Sequence, residues 1–496
     1  MSALRAVLVA VGVIGLPLHA LAAQSLVRRI DARLDAAPYD KSLWGVALAD
    51  ETGRVVYGRN AERMFVPASN TKIVVSAVAA ALLPGDFTVQ TSVYANGRVQ
   101  DGQLHGDLVL YGRGDPTFSV RCFATDTSAS GTCARDPRAA FDSLAAQLAR
   151  SGVHTVRGNV IGDGSWFDGE LVHPSWESYD LNWWYAAPVS GLGVNDNAVD
   201  FRARPAEQVG APVQLSWSPS FAEIAVENRT RTAADGTTST IDYTRVPGTQ
   251  TVIVQGELAV GGRPGTESFA LPDPNRYAAA ALRAALVARG IAVMGEVGST
   301  TDSTRYAPAR RTAPLAEVQS RPLRDWIFPI LNTSQNWYAE MLLKQLGRRF
   351  RGEGSWKAGL DVERRYLIDS VGIDSTEIAL SDASGLAANN LMSPSSFVRL
   401  LRHIRAHRGW PTFAAGLPRS GSTGSLRTRF VGTAIEGQVR AKTGSISRTN
   451  TLSGFVDLPD GRFLTFSVMA NHHAQPSRPT LARIDSVVVE FARRPR

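Results

Sequence analysis

Lysine is scarce in this chain. Of 53 basic residues only five are lysines: Lys41, Lys72, Lys344, Lys357 and Lys442. Arginine therefore carries nearly all of the net charge of +8. That charge is spread along the chain, without a basic cluster interleaved with aromatics, so no nucleic-acid module is expected. Loose attraction to anionic polymers or an anionic membrane surface is the remaining expectation from charge. Cysteine is scarcer still, with two residues, which excludes a zinc ribbon and a disulfide-dense scaffold. His403-x-x-x-His407 has helical ligand spacing but lacks the Glu of a His-Glu-x-x-His motif. Asn471-His472-His473 has no partner cysteines. Neither reads as a metal site, and no metal or cofactor is expected. Internal repeats and low-complexity segments are absent. Beyond the N-terminus, so is any apolar run long enough to cross a bilayer.

What is present is a folded chain of several domains. Its 496 residues, 44% hydrophobic and 20% charged, exclude a disordered chain and call for roughly three domains. The N-terminus reads Met1-Ser2-Ala3-Leu4-Arg5, an apolar run from Ala6 to Leu18, then Ala20-Leu21-Ala22. This is the pattern of a secretory signal peptide over residues 1–22, too short for a membrane anchor. It implies export to an oxidising compartment such as the periplasm. There Cys122 and Cys133, separated by a polar loop, are expected to pair as one disulfide.

The texture changes twice along the chain. A hairpin at Trp44–Gly58 and an apolar helix at Ile73–Leu83 come first. From about Phe87 to Thr312 short strands dominate, with turns at Asn96-Gly97 and Asp101-Gly102 and helices at Arg138–Ser151 and Arg276–Arg289. Helices return after Leu315, followed by strands at Gln438–Thr443, Leu452–Leu458 and Arg462–Ala470 and a closing helix. The expected architecture is an α/β (α+β) domain made of residues 23–86 and 313–496. A β-rich insertion over 87–312, in two nested domains, splits it.

Three short motifs occur in order: Ser69-Asn70-Thr71-Lys72, Ser334-Gln335-Asn336 and Lys442-Thr443-Gly444. Together they match the set of serine β-lactamases and penicillin-binding proteins. Residues three apart share a helix face, so Lys72 points with Ser69. The helix dipole and burial both lower the basicity of a lysine there. A neutral Lys72 amine could take the Ser69 proton, activating a nucleophile. The bland alternative makes Ser69 a helix cap and lets Lys72 reach solvent. Ser334 would relay a proton, and Asn336 would bond a substrate amide and Lys72. Lys442 and Gly444 alternate onto one strand face. There Lys442 and Thr443 could grip a carboxylate, and Gly444 would admit a close backbone. A plain edge strand guarded by a lysine is the alternative.

The chain resembles the class C low-molecular-mass penicillin-binding proteins, the D-alanyl-D-alanine carboxypeptidase/endopeptidase family. Beyond the triplet, the resemblance rests on Leu110-Tyr-Gly-Arg-Gly-Asp115-Pro-Thr117, Tyr185-Ala-Ala-Pro-Val-Ser-Gly-Leu192 with Asn195-Asp-Asn197, Asp382-Ala-Ser384-Gly385-Leu386 and Met392-Ser-Pro394. Ala383, Gly191 and Arg113 depart from the family pattern, Arg113 standing where glycine is common. About 260 residues separate Lys72 from Ser334, room for the extra β-rich domains of that family. The resemblance implies a serine β-lactamase/transpeptidase-like fold and cleavage of peptidoglycan stem peptides, with β-lactams as inhibitors. It implies Ser69 as nucleophile, Lys72 as base and Ser334 and Asn336 as relay and positioning groups. Lys442, Thr443 and Gly444 become substrate contacts, and an oxyanion hole is shared by Ser69 and the strand at Ser445. Asp163 is the candidate to meet a diaminopimelate amine. A β-lactamase or esterase of the same fold and a non-catalytic envelope peptide-binding protein are the rival readings.

Overall fold

Leu43–Ala49 is apolar on both faces, the pattern of a strand covered on both sides. In the computed structural model, which describes residues 18–118, 139–220, 224–246, 249 and 251–493, it lies inside a five-stranded sheet. The order is Val439–Ile446, Thr449–Asp457, Phe463–Asn471, Leu43–Ala49, Val55–Arg59. Every neighbouring pair is antiparallel. The first two strands of the chain thus complete a sheet whose other three come last.

Each face of that sheet has its own core. On one side Leu26, Ile30 and Leu34 of the helix Leu18–Leu34 meet Ile484, Val487, Val488 and Phe491 of the closing helix Ser477–Ala492. On the other lies the helix Thr71–Leu82, buried at every position from Thr71 to Ala81. Helices Leu323–Asn332, Asn336–Arg351 and Pro394–Ala406 pack around it. It ends because Leu83, preceding Pro84, is extended. Among the described residues no helix is long and apolar enough to cross a membrane.

Between Gln90 and Gln319 the chain builds a seven-stranded mixed sheet and two three-stranded sheets. Helices Ala139–Arg150 and Pro274–Ala288 share a second core with them. The exit strand Ala316–Gln319 pairs with the entry strand Gln90–Gln100, so this sheet closes beyond residue 312.

The Asn96-Gly97 turn expected from sequence does not form. Gly97 sits within Gln90–Gln100, directly opposite Gly106. A Cβ on either would strike the other strand's backbone, so the glycines serve close cross-strand approach. The turn falls at Asp101-Gly102, both in the left-handed region. Leu323–Asn332 forms a helix that the sequence does not announce, since Pro329 lies inside it. Burial of its apolar face overrides that local penalty. The expected leader falls partly on residues 1–17, and the expected Cys122–Cys133 bridge wholly on residues 119–138. Both stretches lie outside the described residues.

Candidate active site

The chain enters the apolar helix through Pro67-Ala68-Ser69-Asn70, a tight 3-10 turn. Ala68 has φ +48°, a costly conformation for a residue with a Cβ. Its neighbours hold it there. Thr451 Oγ1 donates to Pro67 O at 2.8 Å, and Asn70 Nδ2 donates to Ser453 Oγ at 2.6 Å. The turn is thereby tied to the central sheet, and it presents half-buried Ser69 at the mouth of the helix.

Lys72 is wholly buried. Its Nζ donates to Ser69 Oγ at 2.9 Å, to Asn336 Oδ1 at 2.7 Å and to Ser384 O at 2.6 Å. Burial lowers its pKa to about 7, against the opposing pull of the Asp382 and Glu340 charges. Those two carboxylates shape the loop that carries Ser384. Asp382 accepts from the N–H groups of Gly385 and Ala387, Asn390 Nδ2 and Trp176 Nε1. Glu340 accepts from Ser384 N at 2.7 Å, Ala383 N and Trp356 Nε1. Burial and the Asp382 charge push Glu340 up to about 7, against those hydrogen bonds. Gly385 closes the cradle at φ +78°, where a Cβ would lie 1.9 Å from Ala68 O. Gly385→Ala should therefore destabilise the protein by about 2–4 kcal/mol. Thermal unfolding would measure this, and an unchanged midpoint would refute the packing argument.

The second motif arrives between helices. Ser334 has φ +65°, and Gln335 caps the helix Asn336–Arg351 by accepting from Trp337 N. Gln335 Nε2 also reaches Asp196 Oδ2 at 2.6 Å, and Asn336 Nδ2 donates to Tyr185 O at 2.7 Å. Both partners lie in the stretch between Gln90 and Gln319, so that stretch holds the motif in place.

The third motif lies on the edge strand Val439–Ile446. Lys442 is wholly buried and donates to Ser334 Oγ at 2.9 Å and Thr443 O at 2.6 Å. Burial, and then the Lys72 charge, hold its pKa well below the usual lysine value. Thr443 Oγ1 donates to Ser425 Oγ at 2.9 Å. Exposed Ser445 accepts from Asn450 Nδ2 at 2.8 Å. At Gly444 a Cβ would meet Thr451 Oγ1 at 2.2 Å and Pro67 O at 2.7 Å. The absent side chain is what lets the strand lie against the Ser69 turn.

The structure thus connects Ser69, Lys72 and Asn336 in one hydrogen-bonded group and Ser334, Lys442 and Thr443 in another. Gly444 and Ser445 lie on the same strand. Asp163 is not among them. It ends the strand Val160–Asp163 in the inserted region, wholly buried. Its carboxylate pairs with Arg310 and accepts from Ser165 N. His403 bonds Tyr366 OH at 2.8 Å and stacks on His407. Among the described residues no group of acidic, His or Cys side chains could hold a metal.

Sequence reasoning missed Glu340, Ser384 O and Tyr185 O. Glu340 had a legible signal, since it lies four residues after Asn336 in the same helix. The two carbonyls lie in segments that carry the family resemblance, but residue type does not mark a carbonyl as a partner, because any residue supplies one.

Comparison with known proteins agrees with this geometry. Residues 26–492 match the model of the D-Ala-D-Ala carboxypeptidase 3 (S13) family. A D-alanyl-D-alanine carboxypeptidase of Actinomadura sp. (strain R39) is 34% identical over 477 residues, covering 93% of this chain and 84% of the relative. Among solved structures, penicillin binding protein 4 (dacB) from Haemophilus influenzae superposes with a TM-score of 0.77 at 23% identity. That match covers 93% of this chain and 98% of the other. The peptidoglycan endopeptidase Bd3459 from Bdellovibrio bacteriovorus aligns with a TM-score of 0.50 at 15% identity, over 91% and 93% of the two chains. The fold is therefore the mixed α/β fold of these proteins. With its family model spanning nearly the whole sequence and a relative this similar, the chain belongs to the D-Ala-D-Ala carboxypeptidase S13 family of serine peptidases.

Proposed function

We propose that this is an exported serine DD-peptidase of peptidoglycan working through an acyl-enzyme on Ser69. The observation that carries the reading is the contact of Lys72 Nζ with Ser69 Oγ at 2.9 Å, made by an amine whose pKa burial has lowered to about 7. Near neutral pH much of that amine is uncharged and able to accept the hydroxyl proton. Ser69 then attacks the carbonyl of the D-Ala–D-Ala amide. The developing oxyanion is received by the N–H groups of Ser69 and of the strand at Ser445. The proton now on Lys72 passes by way of Ser334 to the leaving amine, which returns Lys72 to its neutral form. Asn336 holds the peptide amide, and Lys442 with Thr443 takes the terminal carboxylate. D-Alanine leaves, and water hydrolyses the ester, restoring Ser69.

A cross-link between D-alanine and diaminopimelate presents the same scissile bond to Ser69, and its cleavage is the endopeptidase half of the proposal. A β-lactam, mimicking the acyl donor, would acylate Ser69 and block it. A second solved structure of the Haemophilus influenzae protein is a complex with a novel β-lactam. Export by a leader over residues 1–22, a periplasmic location, a Cys122–Cys133 bridge and loose association with an anionic membrane surface belong to the same proposal.

Mass spectrometry of products from uncross-linked and cross-linked muropeptides tests it. Release of free D-alanine and loss of dimers are the expected results. Rapid penicillin turnover without peptide cleavage would favour a β-lactamase or esterase. Peptide binding without cleavage would make the chain an envelope binding protein.

A further inference from the structure

A cavity of about 380 Å³ opens where the inserted region meets the helix Asn336–Arg351. Its walls include Arg113 and Trp166 from the inserted region and Gln345, Arg348 and Arg349 from the helix. Arg348 lies twelve residues beyond Asn336 on that helix, about 18 Å at the rise of an α-helix. The cavity is therefore separate from the centre around Ser69.

No carboxylate pairs with Arg113, Arg348 or Arg349 among the described residues. Neutral groups fix two of them. Arg113 donates to Ser92 Oγ at 2.7 Å, Gln90 O at 3.1 Å and Tyr94 OH at 2.9 Å, and lies over the Tyr111 ring. Arg348 sits 4.4 Å from the centre of the Trp166 ring and donates to Gly352 O at 2.8 Å. Two acids of this region are engaged elsewhere: Glu317 accepts from the Ser92 hydroxyl, and Asp163 pairs with Arg310. Buried Gln345 accepts the Trp166 indole N–H at 3.0 Å, which fixes its amide orientation. Gln319, also on the wall, adds a second amide.

We propose that this cavity is a binding site for an anionic sugar, its acid group held by Arg113 and Arg348 and its hydroxyls by the glutamine amides. Fixed guanidinium forks recognise carboxylate and phosphate oxygens, and a small aromatic and amide surface beside them suits a sugar ring. Occupation would join the inserted region to the catalytic helix without touching Ser69. Arg113, a departure from the family's glycine, gains a role here.

Isothermal titration with glucuronic acid and glucose 6-phosphate tests the site, with glucose as the neutral control. Saturable binding of either acid sugar, weakened about tenfold or more in Arg348→Gln, is expected. The tighter of the two identifies the acid as carboxylate or phosphate. Arg113 is tied into the fold, so Arg349→Gln, whose side chain is exposed, serves as the second variant and should also weaken binding at low salt. No saturation by either acid sugar, equal binding of glucose, or unchanged affinity in Arg348→Gln with native thermal stability would each overturn the proposal.

Discussion

Ser69→Ala should abolish D-alanine release, by about four orders of magnitude or more, while leaving the fold intact. The hydroxyl accepts a hydrogen bond from Lys72, and the turn that presents it is held by Pro67, Asn70 and Thr451 instead. Removing Oγ therefore takes away the nucleophile without releasing the turn. A fluorescent penicillin should label the wild-type protein and fail to label the variant, with thermal unfolding unchanged. Labelling that persists in Ser69→Ala would place the nucleophile elsewhere and sink the acyl-enzyme proposal.

Lys72→Arg is expected to be nearly as damaging, with a loss of about a thousandfold in the rate of acylation. Arginine keeps the positive charge and can still donate to Asn336 and Ser384, but it does not give up its proton at working pH. The same argument sets the pH profile of the wild type. Burial lowers the Lys72 pKa to about 7, and the reactive form is the neutral amine. Acylation should therefore rise with pH through about 7 and level off above it. Below that point it should fall about tenfold per pH unit. Glu340, also near 7, Asp382 and Lys442 face the same amine. Glu340→Gln should shift the inflection without removing it. If the inflection vanished in Glu340→Gln, Lys72 would not be the titrating base.

Local chemistry was legible wherever a motif is a spacing along one element. The three-residue interval from Ser69 to Lys72 fixes their proximity once the segment turns into a helix, and the alternation around Lys442 marks a strand. The apolar run after Lys72 predicts a buried helix. Glycine was less readable. Gly97 reads as a turn and is a cross-strand contact instead, because the same missing side chain serves both purposes. Asp163 shows a different limit: its residue type suits a substrate contact, and only the fold reveals Arg310 beside it.

The order of the three motifs, the helical relation of Ser69 to Lys72 and the family to which the chain belongs were determined by sequence alone. Tertiary structure decided that Lys72 meets Ser384, 312 residues away, and that Ser334 meets Lys442, 108 residues away. It also decided that Lys72 and Lys442 are less basic than an ordinary lysine. Proximity within one helical turn is a local property of the backbone. Desolvation is not local, because the atoms that exclude water from Lys72 and Lys442 come from segments hundreds of residues apart.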